Sequence, residues 1–111
     1  MFTVDKLREY GANVDEGLVR CMGNADFYIM LVGKAANDTR LLVLESQLAA
    51  KDLDGAFETA HALKGMYSNL SLDPLTKPVS EMTELLRSRT DTDYSALLSE
   101  TKEQFERLCS L

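Results

Sequence analysis

The only histidine of this chain, His61, is followed three residues later by Lys64 and four residues later by Gly65. In a helix, residues three and four apart are surface neighbours, so an imidazole, an ammonium and a position without a side chain fall on one face. A neutral imidazole nitrogen is a competent nucleophile near neutral pH, because histidine ordinarily titrates at about 6.5. An ammonium one turn away attracts a phosphoryl group through charge-assisted hydrogen bonds, and a missing side chain leaves room for a reacting partner. His61, Lys64 and Gly65 are therefore the candidates for catalysis, and the chemistry they suit is phosphoryl transfer. A lone helical histidine is ordinarily a solvated surface residue; the spacing of its neighbours argues for more.

One turn to either side, Phe57 offers apolar area for a docking surface and Ser68 a hydroxyl within reach of the imidazole or of a bound phosphoryl group. With Glu58, three residues before His61, they are the candidate partner-binding positions. Other chemistries lack their parts. One histidine cannot build a zinc or di-iron bundle site, and no Glu-x-x-His pairs repeat, so neither a metal nor a cofactor is expected. No Gly-rich phosphate loop, nucleophile elbow or paired-carboxylate cleft appears, and the chain lacks the parts to be a kinase by itself.

The histidine has to be carried by a helix, and the chain supplies one. Asp52 reads as an N-cap, and Leu53, Ala56, Ala60, Leu63, Tyr67 and Leu70 step by three and four as a core stripe should, with His61 one position off it. Asn24 reads as the cap of a long helical segment to Ala50, its inward positions Phe27, Met30 or Leu31, Leu41, Leu44 and Leu48. That segment would be about 40 Å long, so a kink is expected near Asn37-Asp38-Thr39, with Gly33 a weak point. Asp73-Pro74 reads as a cap followed by proline at the first helical position, and Pro78 makes the opening of that helix irregular before Val79, Met82, Leu85 and Leu86 resume the stripe. After a polar connection from Ser88 to Asp93, with Thr92 or Asp91 as cap, the last helix turns Tyr94, Leu97, Leu98, Thr101, Phe105 and Leu108 inward. Two short lead-in helices are expected ahead of these, from a Thr3 cap to Tyr10 before Gly11, and from Val14 to Met22 before Gly23.

Four amphipathic helices joined by short polar turns bury their stripes most simply as an antiparallel bundle. The fold class is all-α: an antiparallel four-helix bundle over roughly 24–109, preceded by one or two short N-terminal helices, in a single domain over 1–111. The length suits one core, and 45% apolar with 27% charged residues is ordinary for a globular protein. Eighteen acidic against twelve basic residues give a net charge of −6 with the cations scattered, which disfavours nucleic acid and anionic membrane as partners. The longest apolar run, Phe27 to Val32, is too short to span a membrane, and no secretory signal follows Met1, so a free-standing cytoplasmic protein is expected. Cys21 and Cys109 read as free, buried thiols, and no apolar heptad seam demands a dimer, so a monomer is expected.

The stretch His61-Ala62-Leu63-Lys64-Gly65, continuing to Asn69-Leu70 on the second long helix of a four-helix layout, resembles the histidine-containing phosphotransfer (Hpt) domains of bacterial multistep phosphorelays. The lead-in Val14-Asp15-Glu16-Gly17-Leu18 with Gly23 is also similar to the segment preceding that family's bundle, so the likeness runs from about Val14 to Leu108. It implies a phosphorylatable His61, Lys64 near the phosphoryl group, and Gly65 clearing space for the receiver domain of a response regulator or hybrid histidine kinase. In such relays the receiver brings the aspartate, the magnesium ion and most of the catalytic apparatus. The chain departs from the family's habit at Ser71, where glycine is frequent, and at Met66-Tyr67, where small residues are. A helical adaptor that docks a receiver or kinase without carrying phosphate is the rival reading, and a small enzyme with His61 as general base is a third.

Overall fold

The computed structural model describes all residues, Met1–Leu111. Seven helices and no strands are present: α1 (Val4–Tyr10), α2 (Val14–Arg20), α3 (Ala25–Ala36), α4 (Arg40–Ala49), α5 (Leu53–Asn69), α6 (Asp73–Arg87) and α7 (Ser95–Cys109). The all-helical fold is the one expected. Short polar side chains start several of the helices by accepting an orphan backbone N–H. Thr3 accepts from Lys6, Asn13 from Glu16, Asn24 from Phe27 and Asp52 from Gly55, at 3.0 to 3.3 Å. Gly11 ends α1 at φ +111°, a left-handed conformation that favours glycine.

The long helix expected from Asn24 to Ala50 is two helices. At the kink site Asp38 accepts from the Arg40 backbone N–H at 2.9 Å and grips its guanidinium at 2.8 to 3.1 Å. Asn37 Nδ2 donates back to the Gly33 carbonyl at 3.0 Å. These local bonds offer the backbone an alternative to continuing the ladder, so the chain stops and restarts instead of bending. The inward stripe of α3 is also shifted: Tyr28, Val32 and Ala35 are buried, whereas Phe27 and Met30 are about half exposed.

Other boundaries move by a residue or two. The second lead-in helix ends at Arg20 and not Met22. Leu72 holds the N-cap position of α6, which puts Asp73 and Pro74 in the first turn, and α6 runs unbroken through the buried Pro78. Neither Thr92 nor Asp91 caps α7; the Asp93 carboxylate accepts from Ser95 N–H at 2.9 Å. Cys109 is exposed rather than buried, and both thiols are free.

The bundle pairs α4 with α5, α5 with α6, and α6 with α7, while α3 returns against α7. Connections of a few residues force the sequential pairs α4–α5, α5–α6 and α6–α7 antiparallel. One continuous hydrophobic cluster runs through all seven helices, with Leu44, Leu63, Tyr67, Leu75, Met82 and Leu108 fully buried. Each such side chain contributes roughly 1.5–3 kcal/mol of burial. α1 and α2 close one end of this core through Leu7, Tyr10 and Val14. No helix is long and apolar enough to cross a membrane.

Candidate functional site

α5 is the longest helix and lies between α4 and α6, so only its outer strip reaches solvent. Its inward residues Ala56, Ala60, Leu63 and Tyr67 have no exposed surface. Stepping one residue outward gives Phe57, His61, Lys64 and Ser68, and the outermost positions are His61, Glu58, Ala62 and Gly65, all exposed. The six residues singled out in the sequence therefore share one strip of α5. The departure at Tyr67 falls in the core, and half-buried Met66 takes a 3.4 Å contact from Arg40 on its Sδ, on the α4 side of the helix.

The His61 imidazole stacks on the Phe57 ring, centroids 5.6 Å apart and planes 20° apart. Phe57 itself is half-buried under two cations, with the Arg89 Cζ 4.7 Å and the Arg87 Cζ 5.2 Å from its centroid. Arg89, at φ +52°, turns the chain at the end of α6, and its guanidinium donates to the Leu86 carbonyl and, at 2.6 Å, to Asp54 in the first turn of α5. That pair ties the start of the histidine helix to the end of its neighbour. Lys64 Nζ lies 3.5 Å from Glu84 on α6, and the other oxygen of Glu84 accepts from Arg87 Nε at 3.3 Å. The Glu84 carboxyl is held below the usual carboxylate range, first by the hydrogen bond and charge of Arg87 and further by Lys64.

A Cβ added at Gly65 would meet nothing within 4 Å. No internal packing requires glycine there. Glu58 is exposed and joins no ion pair. The Ser68 hydroxyl, expected to face the imidazole or a bound phosphoryl group, donates instead to the Gly65 carbonyl at 3.3 Å; a serine in mid-helix commonly finds its partner in the preceding turn.

The sequence reading missed Glu84, Arg87, Arg89 and Asp54. An arginine pair ending the helix that runs antiparallel to Asp54–His61 was the available signal, but which carboxylates and rings it meets depends on the α5–α6 register. It also missed how the last turn of α5 is finished. Arg20 Nη1 donates to the carbonyls of Ser68 and Asn69 and to the Ser71 hydroxyl, at 2.7 to 3.3 Å. The Tyr28 hydroxyl donates to the Leu70 carbonyl at 2.8 Å, and Asn13 N–H to that of Ser71 at 2.9 Å. Ser71 adopts φ +53°, the left-handed conformation glycine takes at least cost, and its hydroxyl gives Arg20 a partner that glycine lacks.

His61 lines none of the surface clefts. The widest, about 700 Å³, opens between the end of α4 and the start of α7 beside Glu45, Lys51, Asp91 and Tyr94. Nowhere do three or more His, Cys, Asp or Glu side chains converge as metal ligands would. The site is thus an open helix face with one nucleophile and a fringe of cations, suited to a reaction completed by groups on another molecule.

Comparison with known proteins gives one match: the model of the Hpt domain family covers residues 34–111, from the last turn of α3 through α7. No curated protein and no solved structure matched the chain. The matched span contains the whole of α5 and α6 and leaves the N-terminal elements that cap α5 outside it. The chain belongs to the Hpt domain family, whose members are phosphocarriers of two-component signalling.

Proposed function

We propose that this protein is a phosphorelay intermediate that accepts and donates a phosphoryl group on His61, in exchange with the aspartate of response-regulator receiver domains or of a hybrid histidine kinase. The observation that carries the reading is the single exposed imidazole on the outer strip of α5, beside Lys64 and above the bare Gly65. The unprotonated imidazole nitrogen attacks the phosphorus of the aspartyl phosphate. The N–P bond forms as the P–O bond to the carboxylate breaks, and the electron pair of that bond leaves on the aspartate. The other imidazole nitrogen keeps its proton or releases it to solvent.

In this reading the chain supplies a positioned nucleophile, and the receiver supplies the magnesium ion and the remaining catalytic groups. Stacking on Phe57 limits the orientations of the imidazole, which favours an in-line approach. Lys64 adds charge-assisted hydrogen bonds to the incoming phosphoryl oxygens, and Gly65 leaves clearance for the receiver's loops. Glu58 and the edge of Phe57 are the flanking partner contacts. The reading places the protein in the cytoplasm, working as a monomer.

Incubation with phosphorylated receiver domains and Mg²⁺ tests this. An acid-labile phosphoprotein is expected from the wild type and none from His61→Gln, while Lys64→Met slows transfer with the fold intact. Receiver binding without phosphotransfer, unaffected by His61→Ala, would replace the carrier with an adaptor.

A further inference from the structure

Beside His61, one carboxylate engages two cations. Lys64 Nζ sits 3.5 Å from Glu84 Oε1, and Arg87 Nε donates to Glu84 Oε2 at 3.3 Å. Both cations belong to the neighbourhood of the imidazole: Lys64 is one turn on along the same strip, and Arg87 lies over the ring on which His61 stacks. The Glu84 side chain is 59% exposed, so both pairs are solvent-accessible contacts of the kind that exchange readily.

A phosphoryl group carries about −1.5 to −2 charges and three acceptor oxygens, whereas a carboxylate carries one charge and two oxygens. A phosphoryl group on His61 would therefore compete for the same two cations, and it would repel the carboxylate that holds them. Asp54 does not play this part, because it engages Arg89 and no lysine.

We propose that Glu84 is an anionic placeholder, which holds Lys64 and Arg87 while His61 is free and yields them when His61 carries a phosphoryl group. The inference rests on His61 being the phosphoacceptor. Its consequence is thermodynamic: part of the stabilisation the two cations give to phosphohistidine is spent in breaking their pairs with Glu84. Glu84 therefore weakens the hold on the phosphoryl group and keeps it transferable. It is a positioning residue, acting through Lys64 and Arg87.

The experiment is the equilibrium partition of phosphate between the full-length protein and a receiver domain that exchanges phosphate with it. This partition depends on the free-energy difference between the phosphorylated and unphosphorylated forms of each protein and is blind to docking rate, so a loosening of the α5–α6 pair that is common to both forms would not raise retention. Glu84→Gln is expected to shift the partition about threefold toward the phosphorylated protein, the size appropriate to exposed pairs. In a Lys64→Met background the shift is expected to shrink. An unchanged or reversed partition overturns the placeholder, as does a shift of equal size in the Lys64→Met background, which would mean that the carboxylate acts by its own charge alone. If the wild type takes up no phosphoryl group from receivers or from phosphoramidate, the reading of His61 falls and the placeholder with it; a phosphorylated wild type with an indifferent Glu84→Gln sinks only the placeholder.

Discussion

Gly17 and Gly65 both sit inside helices, where glycine costs about 1 kcal/mol relative to alanine. At Gly17 the reason is internal, since an added Cβ would lie 2.5 Å from a carbon of the fully buried Tyr28 ring. At Gly65 an added Cβ would meet only open space. The junction of α2 and α3 is shaped by what it packs against in this chain, whereas the outer strip of α5 is left bare without any internal gain. Gly33 in α3 is bare in the same way, so open space alone marks no site; Gly65 stands apart because it lies one turn from the chain's single histidine, where the proposed transfer needs clearance.

The comparison makes opposite predictions for one chemical change. Gly17→Ala should be the more disruptive, lowering stability by about 2 kcal/mol, because overpacking against Tyr28 outweighs the gain in helix propensity. Urea unfolding would show it as a lower midpoint at unchanged slope. Gly65→Ala should raise stability by about 1 kcal/mol in the same assay while slowing transfer from a receiver. Two destabilised variants, or two stabilised ones, would break the contrast.

The C-terminal end of α5 is closed by Arg20, which lies outside the span shared with the family. Arg20→Met removes the three hydrogen bonds that a half-exposed guanidinium donates to the end of α5, together with its exposed pair to Glu16, and a loss of about 1 kcal/mol is expected. Faster amide exchange confined to the last turn of α5 and the Ser71 turn would identify the cap as the cause.

Tyr28 gives the smallest and most pH-specific effect. Burial pushes its hydroxyl up to about 12 from an ordinary value near 10, so the fold favours the neutral form. A raised value in the folded state means that this stabilisation is complete below about pH 10 and is lost as pH rises through 12. Tyr28→Phe should therefore flatten the decline of stability between pH 10 and 12, leaving the contributions of Tyr10 and Tyr67, which burial raises in the same direction.

Much of this arrangement is legible in the sequence, and the residues show where legibility ends. Caps such as Asn24 and Asp52, and the stripe Ala56, Ala60, Leu63, Tyr67, are local signals that the structure reproduces. The shift of the α3 stripe onto Tyr28, Val32 and Ala35 was not readable, because the apolar run from Phe27 to Val32 satisfies two helical faces equally. The split of the long helix turned on how firmly Asp38 grips Arg40, and composition shows only that both are present. At the site, His61, Lys64 and Gly65 fall together because helical spacing is local. Glu84 and the arginines over Phe57 arrive from another helix, and their register is settled by core packing.

In the function proposed for this chain, the bare strip of α5 serves to present His61 to a partner's phosphoryl group. The most direct measurement is to phosphorylate the protein from a receiver domain and locate the new bond by ³¹P–¹H correlation and fragment mass analysis. A single phosphoramidate bond on the imidazole of His61 is the predicted result. Phosphate on any other residue, or none while the receiver still binds, would contradict it.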